Sequence, residues 1–121
     1  MPDMLINGRW TAGRSTERIA VINPATEEAF ANVPRGTADD AAAAVAAASA
    51  AFDGWRRTPA NERATLLHEV ARLVHDNFDE LARLLTLEEG KPLAENEEEL
   101  EWTANTFRYY AELGRDRKSV V

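Results

Sequence analysis

Apolar side chains between residues 58 and 89 recur every three or four positions, with polar ones filling the gaps. Leu66, Leu67, Val70, Leu73 and Val74 form the first stripe, which predicts a helix with one buried face. Thr58 is placed to cap it, and Pro59 to open its first turn, where a missing N–H costs nothing. Arg63, Glu69, Arg72 and Asp76 fall largely off the stripe. Asn77, with Glu80 three residues on, is a variant capping box, so the pattern breaks there. Leu81, Leu84 and Leu85 carry the next stripe; Gly90 ends it and Pro92 forbids continuation.

Before this helical pair the pattern is that of short strands. Met4-Leu5-Ile6 and Arg9-Trp10 flank Asn7-Gly8, the commonest two-residue hairpin turn because both residues accept positive φ. Thr11 to Glu17 is polar and reads as a loop. Ile19, Val21 and Ile22 make a second strand, Asn23-Pro24-Ala25-Thr26 a turn, and Glu28 to Val33 a third strand closed by Pro34. Such a small meander is marginal alone and has to lean on something else.

At Thr37 the period changes. Thr37-Ala38-Asp39-Asp40 caps a helix and sets two acids against the positive end of its dipole. Residues 41–51 are mostly alanine, with Val45 and Phe52 as large anchors on one face, Trp55 adding bulk and Gly54 as the expected stop. This surface suits close approach by another helix or a sheet. A fourth helix starts near Leu93. Its acids (Glu95, Glu97, Glu98, Glu99, Glu101) precede its bases (Arg108, Arg115, Arg117, Lys118), which complements the dipole at both ends. Leu100, Ala104, Phe107 and Ala111, with Tyr110 beside them, supply its buried stripe. The expected fold is α+β and mostly α. A β meander over about residues 3–34 is followed by about four helices over about 37–114, in one segment, 1–121, without internal repeat or flexible linker.

Charge narrows the partners. A net charge of −7 disfavours nucleic acid and anionic membrane surfaces, both of which call for a basic face. No apolar stretch is long enough to cross a bilayer, and the acidic start, Met1-Pro2-Asp3-Met4, is unlike a secretory signal, so a cytoplasmic location is expected. The chain has no cysteine, which excludes disulfides, thiolate zinc sites and a cysteine nucleophile within it.

Candidate chemistry is sparse. His68 and His75 are seven apart, whereas metal pairs on helices want three or four, and no third ligand lies near. The glutamates from Glu95 to Glu101 lack calcium-loop spacing and read as a solvated face. The six glycines are scattered and form no phosphate cradle. Ser15, Ser49 and Ser119 sit in a loop, an alanine helix and a tail, with no triad around them. By composition and spacing alone this is a domain without a visible active site, and a stand-alone helical binding or interaction module is the default.

Several local patterns, in order along nearly the whole chain, resemble the aldehyde dehydrogenase family. They are Leu5-Ile6-Asn7-Gly8-Arg9-Trp10, Val21-Ile22-Asn23-Pro24-Ala25-Thr26, the alanine helix ending in Phe52, Trp55-Arg56-Arg57-Thr58-Pro59, Asp79-Glu80-Leu81-Ala82, Leu87-Glu88-Glu89-Gly90-Lys91-Pro92 and Arg108-Tyr109-Tyr110-Ala111. The resemblance implies oxidation of an aldehyde to a carboxylic acid with NAD or NADP. In the family a cysteine thiolate attacks the aldehyde, hydride passes to the nicotinamide, and a glutamate activates water. Those residues, and the ones that hold the cofactor, belong to parts of the family chain downstream of this match.

The resemblance thus implies an N-terminal segment, inactive alone, with no catalytic or cofactor-binding residue and no bound cofactor. Its partner would be the remainder of a subunit, in a family of homo-oligomers. Two weaker features carry over. Trp102, six residues before Arg108, takes the place of a residue flanking the substrate tunnel. Glu88, just before Gly90-Lys91-Pro92, matches an acid that in some members holds a monovalent cation with a carbonyl of the Ile-Asn-Pro segment, here Ile22. The Leu-Glu-Glu-Gly-Lys-Pro form is similar to that of semialdehyde-oxidising members.

Overall fold

The structure, a computed structural model, describes residues 3–116, with side chains to Gly114. The basic run from Arg115 to Lys118 and the tail to Val121 lie outside the described side chains. The elements are β1 (Met4–Ile6), β2 (Arg9–Thr11), β3 (Arg18–Asn23), β4 (Glu28–Pro34), α1 (Ala38–Arg57), α2 (Ala60–Asp76), α3 (Phe78–Glu89) and α4 (Leu93–Asp116). They fall into two compact units that meet between Arg57 and Thr58 in sequence.

In the first unit the strands pair antiparallel, as two hairpins. Asn7 and Gly8 both have positive φ, and Ile6 faces Arg9 across them, as the Asn-Gly pair requires. The β3–β4 turn is held by Asn23, whose Oδ1 accepts from the Ala25 N–H at 2.9 Å. The register then steps from Val21–Ala31 to Ile22–Ala29, leaving Phe30 as the extra residue of a bulge.

One carboxylate organises this unit. Asp40 is buried, 6% exposed, in the first turn of α1. Thr37 and Asp40 form a reciprocal cap. The Asp40 N–H donates to Thr37 Oγ1 at 3.2 Å, and the Thr37 N–H and hydroxyl donate to Asp40 Oδ2 at 2.9 and 2.7 Å. The Arg14 N–H also donates to Oδ1, at 3.1 Å, which ties the β2–β3 loop to the helix start. The loop can come this close because Gly13 has φ +84° and no Cβ; a Cβ there would run into Met4 and approach Asp40.

Three sequence expectations about helix ends are corrected. α1 runs through Gly54 to Arg57. A single glycine costs a helix only about 1 kcal/mol, whereas Pro59 steers Thr58 out of helical geometry. Thr58 does not occupy the cap of α2; that position is Pro59, with ψ 143°, and the helix starts at Ala60. The Arg63 guanidinium donates to the Thr58 carbonyl at 2.6 Å. Asn77 forms no capping box; its Nδ2 turns back to the Leu73 carbonyl at 2.8 Å and closes α2. Gly90, at φ 75°, ends α3 in the left-handed conformation expected of it.

The second unit packs α4 along both α2 and α3, most extensively along α2. Its centre is made of small side chains. Ala64, Ala71, Ala82, Ala104 and Ala111 are buried, and Leu100 is the large residue among them. Leu67, Val74, Leu81, Leu85 and Phe107 flank that seam, half-buried. The α2 stripe is therefore corrected: Leu66, Val70 and Leu73 are exposed, as are Leu84 on α3 and Tyr110 on α4. Alanine faces let helix axes approach toward the short end of the roughly 8–10 Å range, and that approach selects which face turns inward. In the first unit, the intended anchors of α1 are also uncovered, with Val45 70% and Phe52 61% exposed.

Two predictions follow from these contacts. Donation by Thr37 first, then by Arg14, holds the Asp40 carboxyl below its ordinary value of 3.8. A lowered folded value means stability that is full above the ordinary value and lost as pH falls through the lowered one. Amide exchange at Arg14 and Thr37 is therefore expected to accelerate below about pH 4, and Asp40→Asn to show fast exchange already at neutral pH. Unchanged protection in that variant would remove Asp40 from this role. In the seam, Ala71→Leu should lower stability by about 1–3 kcal/mol through overpacking, read as a lower denaturation midpoint at constant slope.

Candidate functional site

The residues singled out by sequence are spread over both units. Trp102 sits on α4, on the side opposite Leu100 and Ala104, and is 74% exposed. Its carbonyl accepts from the Thr106 hydroxyl at 2.8 Å, an ordinary intrahelical bond. On one side of the indole is a cleft lined by Lys91, Glu95, Glu98 and Glu99. On the other is a shallow depression lined by Asn105, Thr106, Tyr109 and Tyr110. The two tyrosine rings meet edge to face with centroids 5.4 Å apart.

Electrostatics in the cleft follow from the glutamate-rich start of α4. Lys91 reaches forward from the α3–α4 connection and pairs with Glu99. The hydrogen bond to Glu99, with the charges of Glu99, Glu95 and Glu89, raises the Lys91 ammonium above its ordinary value, so it stays charged. Glu88 is exposed in the last turn of α3, in the second unit. Ile22 lies on β3 opposite Ala29, in the first.

The histidines go separate ways. His68 Nε2 lies 2.8 Å from Glu112 Oε1 and links α2 to α4, while the His75 ring meets Phe78 edge-on at 6.2 Å. Among the described residues no group of three His, Cys, Asp or Glu is gathered as for a metal. No described helix is long and apolar enough to cross a membrane.

One polar side chain escaped the sequence reading. Asn96 is fully buried between α3 and α4; its Nδ2 donates to Thr86 Oγ1 at 3.0 Å, while Oδ1 has no hydrogen-bond partner. The available signal was its position four residues before Leu100, on the inward stripe of α4, where sequence alone suggests a solvated polar turn.

These clefts are lined by carboxylates, a paired lysine and tyrosines, so the second unit offers a helical frame with an aromatic, acid-rimmed outer surface. Comparison with known proteins says what kind of frame it is. The aldehyde dehydrogenase family profile matches residues 10–121. The chain is 43% identical to the succinate-semialdehyde dehydrogenase [NADP(+)] GabD of Escherichia coli (strain K12), over 92% of this chain and 23% of that protein. It is also 43% identical to aminoaldehyde dehydrogenase 2 of Zea mays, over 91% of this chain and 23% of that one. The lactaldehyde dehydrogenase structure from Escherichia coli shares the fold with a TM-score of 0.90 at 35% identity, over 94% of this chain and 24% of that one.

This chain belongs to the aldehyde dehydrogenase family. It spans about a quarter of the length of the relatives it matches.

Proposed function

We propose that the chain serves as the N-terminal segment of a cytoplasmic, homo-oligomeric dehydrogenase that oxidises an aldehyde to a carboxylic acid with NAD or NADP, and that it turns nothing over alone. One observation carries this: a chain with no cysteine matches, over nine-tenths of its length, proteins four times as long that are named as dehydrogenases. The family's chemistry needs a low-pKa thiol, an oxyanion donor and a general base held together. A bound nicotinamide would supply the hydride acceptor; the scattered glycines of this chain make no cradle for its phosphates, so its residues contribute frame and approach surface.

Within that frame we assign Trp102 to the mouth of the substrate tunnel, on the strength of its place before Arg108 and its free indole face. Glu88 and the Ile22 carbonyl are assigned to a monovalent cation, on their match to the family pattern.

The test uses this chain alone and as a chimera. In the chimera it replaces the matched 23% of the Escherichia coli succinate-semialdehyde dehydrogenase. The chain alone, offered semialdehydes with either cofactor, should produce no reduced nicotinamide, and the chimera should produce it. Turnover by the chain alone would overturn the reading, as would a folded chimera with none. Trp102→Ala in the chimera should raise kcat/KM for bulky aldehydes relative to small ones; an unchanged ratio removes the tunnel role. Glu88→Gln should weaken any dependence on sodium or potassium, and an identical salt titration removes the cation assignment.

A further inference from the structure

Asn7 and Gly8 form the tip of the β1–β2 hairpin, and both are exposed. The turn uses them for their backbone, since both take positive φ, 52° and 71°. The same pair sets a reactive carbon beside a nucleophilic nitrogen: the Gly8 backbone N can close a succinimide ring on Asn7 Cγ. Gly8 puts no side chain in the way, and a Cβ there would meet nothing within 4 Å. Neither the Asn7 amide nor the Gly8 N–H has a hydrogen-bond partner among the described residues. A hairpin tip in water is also where the backbone opens at least cost.

The chain's other asparagines are held off this reaction. Asn23 precedes Pro24, which has no N–H. Asn32 precedes the β-branched Val33 within β4, where it pairs with Ala20. Asn61, Asn96 and Asn105 lie inside α2 and α4, where the chain cannot turn back on itself. Asn77 spends its amide on the Leu73 carbonyl at 2.8 Å. Asp53-Gly54 repeats the carbonyl–glycine pairing, but within α1, and Asp53 Oδ1 accepts from Arg56 Nε at 2.7 Å.

We propose that Asn7 is a self-modification site: the folded chain deamidates there ahead of every other asparagine, with water as co-reactant. The Gly8 nitrogen bonds to Asn7 Cγ and the Cγ–Nδ2 bond breaks. Nδ2 leaves as ammonia, taking the proton that the Gly8 nitrogen gives up. Water then adds to one of the two ring carbonyls and breaks its bond to nitrogen; nothing is oxidised or reduced. Opening at Cγ leaves an aspartyl residue, and opening at the backbone carbonyl leaves an isoaspartyl residue, whose main chain runs through the β carbon. Either product adds one negative charge to a chain already at −7. The isoaspartyl form also puts an extra methylene into the turn that pairs Ile6 with Arg9, and so opens the hairpin. None of this rests on the function proposed above.

The experiment holds the whole chain at mildly alkaline pH and follows its tryptic peptides by mass spectrometry, once in native buffer and once in urea. The peptide that ends at Arg9 contains Asn7 and no other asparagine. In native buffer it should gain the mass that separates a hydroxyl from an amino group and split into two products, one of them methylated by an isoaspartyl methyltransferase. The remaining asparagine peptides should keep their mass while this one converts, and Asp53 should yield no isoaspartyl product. In urea Asp53 should begin to yield it, because the helix that spares it is gone. Asn7→Gly keeps a turn that accepts positive φ and should abolish both the mass gain at the tip and its methylation. Conversion of another asparagine first would overturn the proposal, as would isomerisation of Asp53 in native buffer at the pace of Asn7. So would an Asn7 that converts in urea and stays intact in native buffer, since the hairpin would then protect it.

Discussion

Close contact between two helices through alanine is the constraint on which the second unit depends. Ala64 and Ala71 of α2 meet the face of α4 that holds Leu100, Ala104 and Ala111. Small side chains bury little apolar area each, so the contact is worth having only if the helices come close enough for their backbones to pack. That closeness decides the rest. It turns Leu66, Val70 and Leu73 of α2 away from the seam, and it sets Trp102 and Tyr109 on the far side of α4. The surface available to a partner is thus fixed by which residues are small enough to stay inside.

In the first unit the corresponding role falls to a charge. Neither hairpin has enough apolar face for independent stability, and α1 covers none of its large side chains. The buried Asp40 carboxylate instead collects N–H groups from Thr37 and Arg14, joining the helix start to the β2–β3 loop in one hydrogen-bonded knot. A carboxylate so surrounded is stable while ionised, because each N–H lies where its negative charge needs a donor. Gly13 is part of the same arrangement, since the loop can pass Asp40 only with a backbone that a side chain would strain.

Function in such a chain is a matter of supply. The chain has no cysteine to supply a thiol, and the pairs that are present, such as His68 with Glu112, join helix to helix. What the chain contributes to the proposed enzyme is shape: an acid-rimmed aromatic face and a tryptophan at its edge.

The sequence by itself determined the order and kind of the elements, because those depend on local chemistry. Asn7-Gly8 accepts positive φ at both positions, Thr37 and Asp40 cap reciprocally, and Gly90 takes the left-handed end of α3. It also carried the family, through short patterns kept in order. It placed the wrong apolar residues inside. Leu66, Val70 and Leu73 have the period of a buried face, yet the alanines beside them took that place, since only small residues permit the approach of α4. Asn96 was equally hidden, because nothing local distinguishes a buried amide from a wet one. Burial depends on what else arrives at a surface, and only the tertiary structure decides that.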